Sequence, residues 1–188
     1  AIMRAIPNMT VLCPIDAIET KKMVKAMAEH DGPVYIRVNR NSYDNVTKAE
    51  DPFEIGVPTV LKEGSDAVVF ATGIMAVKAL EAAKELEGKV SVKVVNVSTI
   101  KPLNQRIIID LAKGIKAVVT AEEHSIIGGL GSAIAQALAK EEKIIEFVGI
   151  KDELGCSARD YRELLEHYGL TKEAIVEAIY NTIKNTTK

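Results

Sequence analysis

Tryptophan is absent from the 188 residues, and aromatic side chains make up only 4% of them. Flat stacking surfaces for bases or sugar rings are therefore scarce. Cysteine occurs twice, at Cys13 and Cys156. That is too little, and too widely spaced, for a disulfide framework; it fits a reducing compartment, so a cytoplasmic location is expected. Three scattered histidines offer no zinc-ligand spacing, and no metal site is expected in this chain. Neither sign of charge dominates: 24 Lys and Arg against 26 Asp and Glu leave a net −2. The basic footprint of a general nucleic-acid binder is missing. No apolar run approaches the roughly 20 residues that span a bilayer, and no signal-peptide pattern opens the chain, so no membrane partner is expected. The GxSxG, Walker A and HExxH patterns are also absent.

What remains is the balance of a globular protein, with 47% hydrophobic and 27% charged residues. The length suits one large domain, or an ordinary domain with a smaller partner. A strand is expected at Met9 to Cys13. Asp16, with Glu19 three residues on, reads as a capping box opening a helix whose apolar stripe is Met23, Val24, Met27 and Ala28. Gly32 and Pro33 end that helix, and Val34 to Val38 reads as a second strand. Strand, helix, strand makes one parallel crossover unit. Two strands leave open edges and an uncovered face, so the sheet must be completed either by the rest of this chain or by residues upstream of Ala1, and the polar composition of the stretch that follows argues for upstream residues. Positions 39–58 are polar and turn-rich and read as a linker separating this unit from the rest.

Beyond the linker, strands and helices alternate. Strands are expected at Thr59–Lys62, Ala67–Ala71, Val90–Val97, Ala117–Thr120 and Ile145–Ile150. Helices are expected over 74–86, 104–113, 130–140 and 171–184, the last capped by Thr171 and carrying Ile175, Ile179 and Ile183 on one face. This alternation predicts an α/β fold: an open, mostly parallel five-stranded sheet with helices on both faces.

Three clusters could carry chemistry. Gly128, Gly129 and Gly131 open a helix whose free N–H groups could hold a phosphate. The dinucleotide fingerprint fails, because Ile134 stands where the third glycine belongs, and residues 121–128 separate the strand end from the helix. The alternative is that these glycines permit close backbone packing. Glu122, Glu123 and His124 sit past the carboxyl end of a strand, where such sheets place ligands. His124 is there either a proton carrier or a loop anchor. Arg37 and Arg40 close the second strand together, either as an anion clamp or as two solvated cations.

Several stretches together resemble the C-terminal half of the transketolase family. They are Met3-Arg4-Ala5-Ile6-Pro7-Asn8-Met9, Val11-Leu12-Cys13-Pro14-Ile15-Asp16, and His30-Asp31-Gly32-Pro33 with its strand ending in Arg40. The run from Val119 through Glu122-Glu123-His124 to Ser132 resembles the signature loop of the family's last domain, and Val148 to Glu153 and Tyr168-Gly169-Leu170-Thr171 extend the likeness. The resemblance implies that residues 1–45 are the end of a pyrimidine-binding domain, 46–57 a linker, and 58–188 a transketolase C-terminal domain. It implies thiamine diphosphate and Mg²⁺ in the complete enzyme, with neither bound by this chain alone and no catalytic residue in it. Arg40 matches the arginine that binds the sugar phosphate. Arg37 matches a second arginine of the deoxyxylulose-phosphate synthase branch, whereas His124 favours transketolase. Glu122, Glu123, His124, Gly128, Gly129 and Gly131 belong to a loop expected at a dimer contact near the cofactor cleft. The implied partners are an N-terminal transketolase portion or subunit, a second copy, and sugar phosphates of the pentose phosphate pathway. The alternatives are a synthase, a 2-oxo-acid dehydrogenase β subunit, or a non-catalytic dimerisation module.

Overall fold

The computed structural model describes residues 1–41 and 43–186. Ser42, in the expected linker, and the last two positions of the C-terminal range lie outside the described residues. The elements run in the order α1 (Ile2–Ala5), β1 (Thr10–Leu12), α2 (Ala17–Glu29), β2 (Val34–Ile36), β3 (Thr59–Lys62), β4 (Ala67–Ala71), α3 (Ile74–Glu85) and β5 (Val92–Asn96). They continue with β6 (Thr99–Lys101), α4 (Gln105–Leu111), β7 (Ala117–Ser125), α5 (Leu130–Ala137), β8 (Ile144–Ile150), α6 (Tyr161–His167) and α7 (Lys172–Thr186).

The expected five-stranded sheet is present, in the order β3-β5-β4-β7-β8. All its neighbours are parallel except β3, which runs antiparallel to β5 at one edge. Alternation along β4 divides the core. Ala67, Val69 and Ala71 point to one face, where α3 and α7 cover them with Ala76, Ala79, Ile175 and Ile179. Val68 and Phe70 point to the other, against Ile108, Leu130 and Ile134 of α4 and α5. Successive side chains of a strand alternate faces, so a strand covered on both sides must be apolar throughout; β4 is buried at every position.

The first 45 residues are not left as a two-stranded unit. Thr99–Lys101 forms β6, which pairs antiparallel with β1 and makes a second sheet in the order β2-β1-β6. The expectation that positions 39–58 isolate the N-terminal unit is therefore corrected. β6 follows β5 after two residues and carries the main sheet's chain directly into the small one. Val11 and Cys13 share a core with Phe70, Val95 and Ile100, and Ile15 joins the opposite core. The stripe on α2 is narrower than the sequence suggests: Met23 is fully buried, but Val24 is 55% exposed.

The capping box is half formed. Glu19 N–H donates to Asp16 Oδ1 at 2.8 Å. The Glu19 carboxylate does not return the bond; it accepts from Ile15 N–H at 2.7 Å and from Asn96 Nδ2 at 3.0 Å, reaching across to β5. Asp16 takes up the remaining donors itself. Its carboxylate accepts from Val46 N–H, Thr47 N–H and the Thr47 hydroxyl at 2.9, 2.7 and 2.8 Å. One buried carboxylate thus caps α2 and pins the returning chain.

Burial alone would push the Asp16 carboxyl up, but the hydrogen bonds from Glu19, Thr47 and Val46 outweigh it and hold the group below its ordinary value of 3.8. The folded protein releases this proton more readily than the unfolded chain does. The resulting stability is present above the ordinary value and is lost as pH falls through the lower folded value. Asp16→Asn is expected to cost about 1–2 kcal/mol at neutral pH. In urea unfolding the gap to wild type closes on acidification towards about pH 2. A gap of unchanged size in acid would contradict the assignment.

Candidate functional site

β7 extends to Ser125, five residues beyond the expected strand end. Only Ile126 and Ile127 then precede Gly128, so the long separation read from the sequence is corrected: the strand itself carries Glu122, Glu123 and His124. Strand alternation puts Glu122 and His124 on one face and Glu123 on the other.

Glu122 is 2% exposed and turns towards α5. Its two carboxylate oxygens accept from Leu130 N–H at 2.7 Å and Gly131 N–H at 2.8 Å. The first-turn N–H groups that could have held a phosphate are thus filled from within the chain. The close-packing account of the glycines fits the geometry. A Cβ on Gly129 would lie 2.0 Å from Glu122 Oε2, and one on Gly131 would lie 2.6 Å from Phe147 Cδ1 and 2.8 Å from Thr120 Oγ1. Gly128 has φ +76°, which lets the chain turn into the helix. Arg4, from α1, locks this turn by donating to the carbonyls of Gly128 and Gly129. Burial pushes the Glu122 carboxyl above its ordinary value, against the pull of the two helix N–H groups.

His124 anchors the loop. A carbonyl only accepts, so Nδ1 carries the proton it donates to Ser125 O at 2.8 Å, and Nε2 lies 3.2 Å from the Ala1 amine. Its Nδ1 is 3.8 Å from Glu122.

Glu123 faces the N-terminal unit. Its Oε2 lies 3.4 Å from Arg37 Nη2 and accepts from Asn39 Nδ2 at 2.9 Å. Asn39 Nδ2 also donates to the Tyr161 hydroxyl at 2.7 Å, and Tyr43 OH to the same hydroxyl at 3.3 Å. Burial, the Tyr43 hydroxyl and Glu123 all hold the Tyr161 phenol proton in place, well above its ordinary range. Arg37 also approaches Cys13, whose thiol burial keeps protonated. Arg37 is therefore a fixed, half-buried cation, and Arg40 is exposed, with no hydrogen-bond or ion-pair partner among the described residues. The two expected arginines do meet. Both border a groove of about 650 Å³, together with Asn39, Glu123, Arg159 and Tyr161.

Arg4, Arg159 and Tyr161 were not singled out by sequence reasoning for any role at the site. Tyr161 opens α6 after its Asp160 cap, a signal that marks a helix start but not its destination. Arg159 lies in an irregular stretch with no periodicity to read. No group of three or more His, Cys, Asp or Glu side chains is placed to hold a metal ion among the described residues. None of the described helices is long and apolar enough to cross a membrane.

Comparison with known proteins gives two adjoining matches. The pattern described as "Transketolase, C-terminal domain" matches residues 56–175, and "Transketolase, pyrimidine binding domain" matches residues 1–45. A putative transketolase C-terminal section from Methanocaldococcus jannaschii is 41% identical over 98% of this chain and 58% of its own length. A 6-deoxy-6-sulfo-D-fructose transketolase subunit from Clostridium sp. (strain MSTE9) is 41% identical over 96% of this chain and 56% of its own. A solved structure described as a split gene transketolase, inactive beta4 tetramer, superposes with a TM-score of 0.91 at 46% identity. It covers 97% of this chain and 60% of its own. The chain thus spans a little under three-fifths of the length of these two relatives.

Proposed function

The chain belongs to the transketolase family, and from that premise we propose that it is the section of a split transketolase-type enzyme that grips the anionic end of a sugar phosphate. Completed by the portion it lacks, and with two copies of each in the assembly, the enzyme transfers a two-carbon ketol unit between sugar phosphates of the pentose phosphate pathway. Family enzymes in complete form depend on thiamine diphosphate. The described residues of this chain do not fit that group: Glu122 fills the glycine-flanked helix start, and no metal-ligand cluster is present among them. Cofactor binding is accordingly assigned to the completing portion.

The observation that carries the reading is Arg40, a guanidinium with no partner among the described residues, beside a groove in which Arg37 is fixed by Glu123. A guanidinium offers parallel N–H donors matched to phosphate oxygens. Held at one end, the sugar phosphate presents its reacting carbon in a defined place, and binding energy far from the reaction serves orientation. Arg37, braced by Glu123, adds fixed positive charge, and the Tyr161 phenol remains a neutral neighbour.

In the enzyme reconstituted with its completing portion, thiamine diphosphate and Mg²⁺, Arg40→Ala is expected to raise KM for phosphorylated sugars by about tenfold or more, the loss of one charge-assisted pair. kcat should stay within about twofold. Equal KM values for variant and wild type would refute the assignment. A second reading, deoxyxylulose-phosphate synthase, is favoured by Arg37 in the groove and by a relative of that name at 37% identity. Product analysis separates the two: ketol transfer to ribose 5-phosphate, or condensation of pyruvate with glyceraldehyde 3-phosphate.

A further inference from the structure

The groove beyond β2 has a third arginine. Arg159 lies 119 positions after Arg40 in sequence, yet it borders the same space of about 650 Å³. Its backbone is held in place: Arg159 N–H donates to the Glu163 carboxylate at 3.1 Å, one turn into α6. Asp160, the next residue, caps α6 by accepting from Arg162 and Glu163 N–H at 2.7 and 3.2 Å.

Both carboxylates that border the groove are therefore already engaged. Glu123 serves Arg37 and Asn39, and Asp160 serves the helix start. Tyr161 keeps its proton and adds no charge. Neither the Arg40 nor the Arg159 guanidinium has a hydrogen-bond or ion-pair partner among the described residues. Three guanidiniums thus share a concave surface with two carboxylates, each of which already has one oxygen engaged. Two forks on one groove, one from the chain after β2 and one from the loop after β8, suit a tetrahedral dianion better than a flat monoanion, because they can engage different oxygens.

We propose that Arg159 is a specificity-determining residue that closes with Arg40 on the phosphate of a sugar phosphate and makes the site select a dianionic tail over an uncharged one. The inference rests on the proposed function, since it names a further residue of that same phosphate site. Arg159 touches the tail and not the reacting carbon, so its effect belongs in KM and in discrimination, with kcat spared.

The test has two arms. In the reconstituted enzyme, Arg159→Ala is expected to raise KM about fivefold or more for ribose 5-phosphate, with kcat within about twofold and KM for uncharged glycolaldehyde unchanged. Arg159→Lys keeps the charge but loses the fork and should recover only part of the loss. In the second arm, the 188-residue chain is titrated with inorganic phosphate, and Arg159→Ala and Arg40→Ala are each expected to weaken binding about fivefold or more. If Arg159→Ala matches wild type in both arms while Arg40→Ala is impaired, the Arg159 proposal falls and the functional reading stands. If both variants bind phosphate like wild type, the groove is not an anion site and both fall. If phosphate binding depends on Arg159 but the reconstituted enzyme turns over no sugar phosphate, the arginine assignment holds and the functional reading falls.

Discussion

Gly129→Ala is expected to lower the unfolding free energy by at least about 3 kcal/mol. The backbone there is not strained, at φ −82°, so conformational preference contributes little. The cost is a collision. The new Cβ would sit 2.0 Å from Glu122 Oε2, 2.7 Å from its Cδ and 2.8 Å from the Ser125 carbonyl oxygen. Ser125 is fixed in β7, so Glu122 must move. It can do so only by leaving the N–H groups of Leu130 and Gly131, which strands both donors and a buried carboxylate. Glu122→Ala alone removes the same cap and is expected to cost about 2–3 kcal/mol. The two changes share one interaction, so together they should cost clearly less than their sum. Chemical denaturation of the four species in the cycle tests this; additivity within about 0.5 kcal/mol would show that the helix start does not depend on Glu122.

Glu19→Ala is expected to cost about 3 kcal/mol, because it strands Ile15 N–H and the Asn96 amide between the two sheets. Asn96 is already short of one partner: its Oδ1 is buried without a hydrogen bond. Glu19→Gln isolates the charge. Burial, the dominant influence, pushes the Glu19 carboxyl above its ordinary value of 4.5, while Ile15 and Asn96 pull it down. The folded protein therefore holds this proton more tightly than the unfolded chain. That proton-linked stability is fully present below the ordinary value and is lost as pH rises through the folded value. Gln does not titrate. The stability of Glu19→Gln relative to wild type should accordingly rise between about pH 4 and pH 8. A difference that is flat with pH, or a relative stability of Glu19→Gln that falls as pH rises, would show that Glu19 is charged at no cost where it lies. Asp16, three residues earlier, titrates with the opposite sign because four hydrogen bonds outweigh its burial; the two variants separate the contributions.

Both pairs show why a site can be located in a sequence before its workings can be read. The run from Glu122 to Ser132 stands out as a unit, with carboxylates, a histidine and clustered glycines at a strand end. Its division of labour does not. Extending β7 by five residues puts Glu122 and Glu123 on opposite sides, so one carboxylate closes a helix and the other braces an arginine. A strand end is weakly marked in sequence, and shifting it changes which side chains share a face. Arg37 and Arg40 were legible because they follow a strand-like run, three residues apart. Arg159 was not, because nothing within its own neighbourhood depends on the groove it borders.

By itself the sequence determined the parts of this protein that rest on local physics. Valine-rich runs and helical stripes set the five strands of the main sheet and most of its helices. Asp16 and Thr171 set two helix starts, since a cap needs only residues three positions away. Tertiary structure alone decided the rest. β6 is three residues long, too short to show a period, and it becomes a strand only because β1 lies alongside it, some 90 residues away in sequence. The same holds for the Glu19 link to Asn96 and for the gathering of Arg37, Arg40 and Arg159. Each of these depends on a fold already closed, and the energy that places the residues is spread over the whole core, not written in the segments that meet.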